Sequence, residues 1–136
     1  PFNHIGPGQN TGFVVADFAS RIAAIEQGKA EATLQVGNLH SWRDFTDVED
    51  VVAAYVLLMQ HGTAGEVYNV GSGQEVEIQQ ILDQLLALST VDIKVEIDPK
   101  RYRPVDVPLV VCDNSKLVTC TGWQPKKPLE QTLLET

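Results

Sequence analysis

The stretch Arg43-Asp44-Phe45-Thr46-Asp47-Val48-Glu49 joins a short extended segment, 43–46, to the most clearly marked helix of the chain. Thr46 and Glu49 stand three residues apart, which is the capping-box pattern of a helix N-terminus. Apolar residues then recur at helical spacing until His61-Gly62 ends the helix. We expect the apolar stripe over Val51–Met59 to face the core. The residues that carry the helical spacing are Val48, Val51, Val52, Tyr55, Val56 and Met59.

Helices and short strands alternate on both sides of this unit. Their alternation predicts an α/β or α+β fold. Only the segment 66–70 is apolar enough for the middle of a parallel sheet, so we expect an incomplete sheet. The predicted helices cover 12–27, 77–88, 115–120 and the residues from Pro128 onward. The predicted strands cover 33–36, 66–70 and 93–97.

Composition and charge exclude several classes of protein. The 136 residues suffice for about one domain, and 43% hydrophobic with 21% charged residues is an ordinary globular balance. The net charge of −8 makes nucleic acid and anionic membrane surfaces poor partners. The longest apolar run has nine residues, whereas a membrane span needs about 20.

The two cysteines, Cys112 and Cys120, are too few for a secreted disulfide framework. No His or Cys cluster has metal-ligand spacing, so we expect no metal site. We expect both cysteines to be small core residues of a cytoplasmic protein. Since Pro1 opens the chain without a Met and Thr136 lies within a predicted helix, we expect a piece of a longer protein.

Arginine placement is the first feature that points to a ligand. Arg43 and Arg103 lie on separate extended segments, and a guanidinium matches a phosphate bidentately. Together they could clamp a diphosphate, while Asp106 could accept hydrogen bonds from a ribose diol. The alternative is surface ion pairs, Arg43 with Asp44 or Asp47 and Arg103 with Asp106.

Other polar residues give weaker signals. Asn3 could bind a phosphate or hold a turn, and His4 could be a general acid or base or a solvated loop residue. Gly71-Ser72-Gly73 lies between a predicted strand and a helix, but Val76 stands where the dinucleotide fingerprint needs glycine. We therefore interpret it as a turn. The acids over 44–50 are interpreted as helix capping, because the helix dipole favours them there.

Eight short motifs, taken together and in order, resemble the extended short-chain dehydrogenase/reductases that act on nucleotide sugars. They recur along nearly the whole chain, and none is specific alone. The motifs are Pro1-Phe2-Asn3-His4-Ile5-Gly6-Pro7-Gly8-Gln9, Gly12-Phe13-Val14-Val15-Ala16-Asp17-Phe18-Ala19, Val36-Gly37-Asn38-Leu39, Arg43-Asp44-Phe45-Thr46-Asp47-Val48, Val67-Tyr68-Asn69-Val70-Gly71-Ser72-Gly73, Arg103-Pro104-Val105-Asp106-Val107-Pro108, Asp113-Asn114-Ser115-Lys116-Leu117 and Thr121-Gly122-Trp123-Gln124-Pro125.

The resemblance implies an α/β fold that is the C-terminal part of a Rossmann-type enzyme, an incomplete sheet with a small substrate-binding subdomain. Residues 1–136 would be the substrate-binding portion of an NAD(P)-dependent nucleotide-sugar oxidoreductase whose N-terminal dinucleotide-binding half is absent. Arg43-Asp44-Phe45 and Gly6-Pro7-Gly8 are most similar to the GDP-4-dehydro-6-deoxy-mannose reductases. The GDP-mannose 4,6-dehydratases, which more often carry Trp after Arg-Asp, are the alternative.

The resemblance also implies roles for individual residues in binding a GDP-linked hexose and NADP or NAD. Asp17 stands where dehydratases often have a lysine, which leaves guanine recognition open. The residues implied near the cofactor are Phe2, Asn3 and His4. Those implied near the substrate are Asn3 at the sugar diphosphate, Val14, Val36 and Asn38 at the guanine end, Arg43 and Arg103 at the diphosphate, and Asp106 at the ribose.

The catalytic Tyr-x-x-x-Lys pair of the family is not in this sequence. Tyr55, Tyr68 and Tyr102 are followed four residues later by Met, Ser and Asp. We therefore assign no catalytic residue and expect the chain alone to be inactive, within a parent enzyme that is a homodimer or homotetramer. A non-catalytic nucleotide-binding module is the alternative from another class.

Overall fold

The computed structural model describes residues 1–102 and 107–136 of the chain. Helices and short strands alternate, as the sequence predicts for an α/β fold. The helices are α1 (Val14–Glu26), α2 (Val48–His61), α3 (Ile78–Leu88), α4 (Ser115–Thr121) and α5 (Leu129–Glu135). The strands are β1 (Asn3–Ile5), β2 (Thr33–Val36), β3 (Trp42–Arg43), β4 (Phe45–Asp47), β5 (Val76–Glu77), β6 (Lys94–Ile97) and β7 (Leu109–Val110), and a 3-10 turn spans Pro99–Arg101.

The strands form three small sheets rather than one large sheet. β1 pairs in parallel with β4, and β2 pairs in parallel with β6. The third sheet has the order β5-β3-β7, antiparallel on one side of β3 and parallel on the other. The single extended segment predicted over 43–46 is wrong, because Asp44 separates two strands that join different sheets.

The strand predicted over 66–70 is also wrong. This segment joins none of the sheets in the described part of the chain. A backbone hydrogen bond from the Phe2 N–H to the Val70 carbonyl, at 2.8 Å, ties its end to the residue before β1. Val70 is buried but Val67 is 78% exposed, so the apolar pattern indicated one buried end rather than a buried strand.

The N-terminus of α2 is capped by Asp47 rather than by Thr46. The Asp47 carboxylate accepts a hydrogen bond from the Glu49 N–H at 2.8 Å. Thr46 is buried within β4, opposite His4, so its hydroxyl cannot cap the helix. The N-cap therefore lies one residue later than the predicted capping box placed it, because pairing with β1 keeps Thr46 in the strand.

The buried apolar residues in the described part of the chain form two clusters. The larger cluster joins α1 and α3 across β2 and includes Leu34, Ile81 and Leu82. The smaller cluster lies between α2 and α4 and is closed by Trp123. None of the helices in the described residues combines the length and apolar composition that a membrane crossing needs.

The apolar stripe predicted to bury α2 over 51–59 is wrong for most of its members. Val51 and Ala54 are buried against the smaller cluster. Val52, Val56 and Met59 are 53%, 52% and 88% exposed. Helical spacing identifies an apolar face, but the described residues cover only one side of this helix.

Candidate ligand-binding cleft

A cleft of about 490 Å³ lies between the loop after β1, the N-terminus of α1, the end of β2, and β3. The candidate site residues that lie in the described part of the chain all line this cleft, although they come from four separate segments. Arg103 and Asp106 lie outside the described residues. The candidates that line the cleft are Phe2, Asn3, His4, Val14, Val36, Asn38 and Arg43.

The loop after β1 forms the first wall. Its turn is closed by a hydrogen bond from the Gln9 N–H to the Gly6 carbonyl at 3.3 Å. Gly8 has φ +80, a left-handed conformation that glycine adopts without strain. The Gln9 amide nitrogen donates to the His4 carbonyl at 2.8 Å. The Gln9 Oε1 atom is buried and accepts no hydrogen bond from the described residues, which leaves an acceptor for a ligand donor or a water.

The N-terminus of α1 forms the floor beside this loop. Phe13 occupies the N-cap position, so no side chain caps the first-turn N–H groups. Such groups carry a partial positive charge and favour an anionic or acceptor group of a ligand. Asp17 lies in the same first turn and pairs with Arg21 at 3.2 Å, which fixes both side chains at the cleft.

The end of β2 forms the second wall. A Cβ at Gly37 would lie 2.7 Å from the carbonyl oxygen of Arg101, so only glycine lets these two segments approach. The Asn38 side chain holds the following turn, accepting from the His40 N–H at 3.0 Å and donating to the Ser41 hydroxyl at 3.1 Å. Asn38 therefore shapes this wall in addition to lining it.

Arg43 reaches the cleft from β3 and is half-buried. Its Nη1 donates to the Trp42 carbonyl at 2.7 Å. The next residue, Asp44, is fully buried, with its carboxylate held by other segments. Arg43 therefore lies at the end of β3, next to a residue whose side chain is held in the protein interior.

The Asp44 carboxylate fills the loop that Gly71-Ser72-Gly73 forms. One oxygen accepts from the Ser72 N–H at 2.8 Å and the Ser72 hydroxyl at 2.6 Å. The other accepts from the Gly73 N–H at 2.8 Å and the Cys112 N–H at 3.1 Å. Successive backbone N–H groups form an anion-binding concavity, and here the anion is a side chain of the same chain. This explains the glycine-rich signal without a bound phosphate.

The interpretation of the acids over 44–50 as helix capping holds for Asp47 and is wrong for two others. Asp44 is the buried anchor just described. Asp50 is also buried, and its carboxylate accepts from the N–H groups of Lys126 and Lys127, each at 2.9 Å. These two carboxylates join segments distant in sequence, a role that local spacing could not predict.

The cysteines differ in their surroundings. Cys112 is buried, and its burial together with the nearby Asp44 carboxylate raises the pKa of its thiol to about 11. Cys120 is only partly buried, so the prediction that both cysteines are core residues is wrong for Cys120.

Charge is distributed unevenly between the cleft and the rest of the chain. The chain carries a net charge of −8. The described residues that line the cleft include three arginines, Arg21, Arg43 and Arg101, and one acid, Asp17. Arg21 pairs with Asp17, and Arg101 pairs with Asp98 at 3.9 Å. The cleft therefore favours an anionic ligand. The sequence analysis did not identify Arg21 or Arg101. The spacing of Asp17 and Arg21, four residues apart on a predicted helix, could have indicated an ion pair at Arg21.

Comparison with known proteins agrees with this fold. The family model described as GDP-mannose 4,6 dehydratase matches residues 1–136. The chain belongs to this family. It is 43% identical over 133 residues to the GDP-6-deoxy-D-mannose reductase of Pseudomonas aeruginosa, covering 98% of this chain and 44% of the reductase. It is 29% identical to GDP-mannose 4,6 dehydratase 1 of Arabidopsis thaliana, covering 96% of this chain and 36% of that protein.

A solved structure of the Pseudomonas aeruginosa enzyme RMD complexed with NADPH superposes on the chain with a TM-score of 0.90 and 40% identity. The match covers 98% of this chain and 44% of that one. The predicted fold, the C-terminal part of a Rossmann-type epimerase/dehydratase, is therefore confirmed. The chain spans less than half the length of the relatives named above.

Proposed function

We propose that residues 1–136 are the substrate-binding portion of an NAD(P)-dependent nucleotide-sugar oxidoreductase that reduces a GDP-4-dehydro-6-deoxy-hexose. The observation that carries the proposal is the cleft, where arginines from three segments line one cavity of an otherwise acidic chain. This arrangement suits a nucleotide diphosphate, since guanidinium groups bind phosphate oxygens bidentately. We also propose that the enzyme has a further and larger part, which includes its dinucleotide-binding half.

In this proposal Arg43, together with Arg103, holds the diphosphate, and Asp106 holds the ribose. Val14 and Val36 supply apolar surface at the guanine end, beside the N–H groups at the start of α1. These contacts position the sugar. In favourable intramolecular reactions, such positioning lowers the reaction barrier by roughly 7–11 kcal/mol.

The rim formed by Phe2, Asn3 and His4 fits one side of a nicotinamide cofactor. Asn3 and His4 are exposed at the cleft and offer an amide and an imidazole, groups that can hydrogen-bond a carboxamide or a sugar hydroxyl. The cofactor, NADP or NAD, supplies the hydride when bound. The described residues would contact it only at this edge.

A GDP-mannose 4,6-dehydratase is the second candidate, supported by the description of the matching family model. The reductase is favoured by the higher identity, 43% against 29%. The homodimeric or homotetrameric state of the parent and its cytoplasmic location stay predictions.

The test uses the protein encoded by the complete reading frame that contains this chain. With GDP-4-dehydro-6-deoxy-mannose and either NADPH or NADH, we expect the cofactor to be oxidised and a GDP-6-deoxyhexose to form. Conversion of GDP-mannose to its 4-dehydro-6-deoxy product without added reductant would instead establish the dehydratase. Binding of GDP-sugar with neither reaction would favour the non-catalytic module.

A further inference from the structure

Two side chains of opposite charge face the cleft from the same side of α1. Four residues of this helix at positions i, i+3, i+4 and i+7 line the cleft, and they are Val14, Asp17, Phe18 and Arg21. Arg21 Nη1 donates a hydrogen bond to Asp17 Oδ2 at 3.2 Å. The side chain of Arg21 is 26% exposed and that of Asp17 is 36% exposed. The pair is therefore oriented by its own hydrogen bond and is still accessible to a ligand in the cleft.

The Asp17–Arg21 pair differs electrostatically from the other charged groups of the cleft. Its two charges cancel, and its carboxylate repels a phosphate, so the pair is a poor site for the diphosphate. Arg43 and Arg101 reach the cleft from other segments, and Asp98, the acid that pairs with Arg101, does not line it. The pair therefore suits an uncharged group of the ligand that carries both hydrogen-bond donors and acceptors.

Apolar side chains on the same part of the cleft suit the faces of a flat ring. Val14 is half-buried and lies three residues before Asp17 on α1. Phe13, which precedes the helix, lines the cleft and is 57% exposed. Val36 lines the cleft from the end of β2. The faces of a ring such as a nucleobase pack on apolar surface, while the polar atoms at its edge need hydrogen-bond partners.

The hydrogen-bonding groups of the pair match the edge of guanine. Along this edge guanine presents the O6 acceptor, then the N1–H donor and the N2–H donor. Arg21 supplies donors, and Asp17 supplies acceptors, of which Oδ1 accepts no hydrogen bond from the described residues. Uracil has an acceptor where guanine has N2–H, and adenine has a donor where guanine has O6. Either base would therefore set like groups against each other at this pair.

We infer that Asp17, oriented by Arg21, is the residue that selects guanine in the bound nucleotide sugar. Asp17 accepts hydrogen bonds from guanine N1–H and N2–H, and Arg21 donates to O6. The inference rests on the proposed function and leaves the diphosphate to the other arginines. A site built to hydrogen-bond an N–H group rejects an analogue that lacks it, because the acceptor of the site is then left unpaired.

The test compares GDP with inosine diphosphate, which differs from GDP only in lacking the N2 amino group. Calorimetry gives both dissociation constants for the protein encoded by the complete reading frame. Asp17→Ala removes both acceptors and introduces a residue that favours helix. Asp83→Ala is the matched control, because Asp83 is an exposed helical aspartate that bonds Gln79, four residues away, and does not line the cleft.

In the wild type we expect GDP to bind at least roughly tenfold more tightly than inosine diphosphate, the effect of one hydrogen bond to a charged group. Asp17→Ala should bring the two dissociation constants within about twofold of each other, chiefly by weakening GDP. Asp83→Ala should keep the wild-type ratio. A purely structural role of Asp17 would weaken both nucleotides equally, so an unchanged ratio in folded Asp17→Ala protein overturns the inference.

The comparison in the wild type tests the inference even where Asp17→Ala does not fold. Equal affinities of the wild type for GDP and inosine diphosphate overturn the inference. If the same protein binds GDP-mannose and reduces the GDP-4-dehydro-6-deoxy-hexose, the proposed function stands without it. If the protein binds neither GDP nor GDP-mannose, the proposed function fails and the inference fails with it.

Discussion

Replacing Asp44 by asparagine tests the interior anchor that holds Arg43, the Gly71–Gly73 loop and Cys112 together. The carboxylate accepts four short hydrogen bonds from Ser72, Gly73 and Cys112. An asparagine presents one oxygen and one NH₂ group, so the donors on one side lose their acceptor and face another donor.

The magnitude follows from the number of donors left unsatisfied. An unsatisfied donor costs about 1–3 kcal/mol when it is buried, as the Cys112 N–H is, and less when it is partly buried, as the Ser72 and Gly73 N–H groups are. The loss of two acceptor contacts in Asp44→Asn therefore predicts a fall of about 2–4 kcal/mol in the free energy of unfolding. That is a large share of the roughly 5–15 kcal/mol that stabilises a domain. Urea unfolding followed by circular dichroism measures it, with a lower midpoint expected at unchanged slope.

The matched control is Asp92→Asn, the same chemical change at an exposed carboxylate. It should change the free energy of unfolding by no more than about 0.5 kcal/mol. If the free energy of unfolding of Asp44→Asn lay within about 1 kcal/mol of the wild-type value, the reasoning would be refuted, because the loss of charge-assisted hydrogen bonds to a buried carboxylate costs more than this. The Gly71–Gly73 loop would then need a different explanation.

Three further predictions concern the anchors of α2 and the thiols. Because the pKa of the Cys112 thiol is raised, its contribution to the free energy of unfolding is complete below pH 9 and falls by on the order of 2 kcal/mol as the pH rises towards 11. Unfolding titrations over this pH range measure the fall, and Cys112→Ala should remove it. Asp47→Ala should cost about 1–3 kcal/mol in urea unfolding, since it removes the cap of α2 and the carboxylate that accepts from the Thr132 hydroxyl at 2.8 Å and pairs with Lys127 at 3.3 Å. A thiol reagent at pH 8 should modify Cys120 while sparing Cys112, and equal rates would contradict the burial of Cys112.

The sequence predicted best those elements whose signals are local. The helix over 77–88 appears as Ile78–Leu88 with its apolar face buried, because its partners lie within the chain. Gly28 and Gly122 adopt left-handed conformations where the sequence ends helices. Periodicity and turn chemistry are sufficient for such elements.

The errors share one physical cause, which is that local patterns do not reveal tertiary partners. The spacing over Val51–Met59 identified an apolar face but not what covers it. Thr46 and Asp47 are equally good caps in the sequence, and the pairing of β4 with β1 decides between them. The Gly71–Gly73 turn was predicted, but its ligand, Asp44, lies 28 residues away from Ser72 in the sequence.

The candidate site was predicted chiefly by resemblance rather than by spacing. Phe2 and Val14 give no individual signal for a ligand, and Asn3 and His4 give only weak ones, yet all four line one cleft with Arg43. Arg21 and Arg101 were missed because they lie in a helix and a 3-10 turn at positions outside the eight motifs that carry the resemblance. The roles of these residues towards a ligand stay predictions.

The most direct test of the central claim, that this cleft binds the diphosphate of a GDP-sugar, is the dissociation constant for GDP-mannose measured by calorimetry. In the complete protein, Arg43→Ala should weaken binding by roughly 10–150-fold, the equivalent of about 1.5–3 kcal/mol for a charged hydrogen-bonding group. Lys29→Ala, which removes an exposed positive charge outside the cleft, should change it less than about twofold. Equal affinities for wild type and Arg43→Ala, or UDP-glucose bound as tightly as GDP-mannose, would contradict the account.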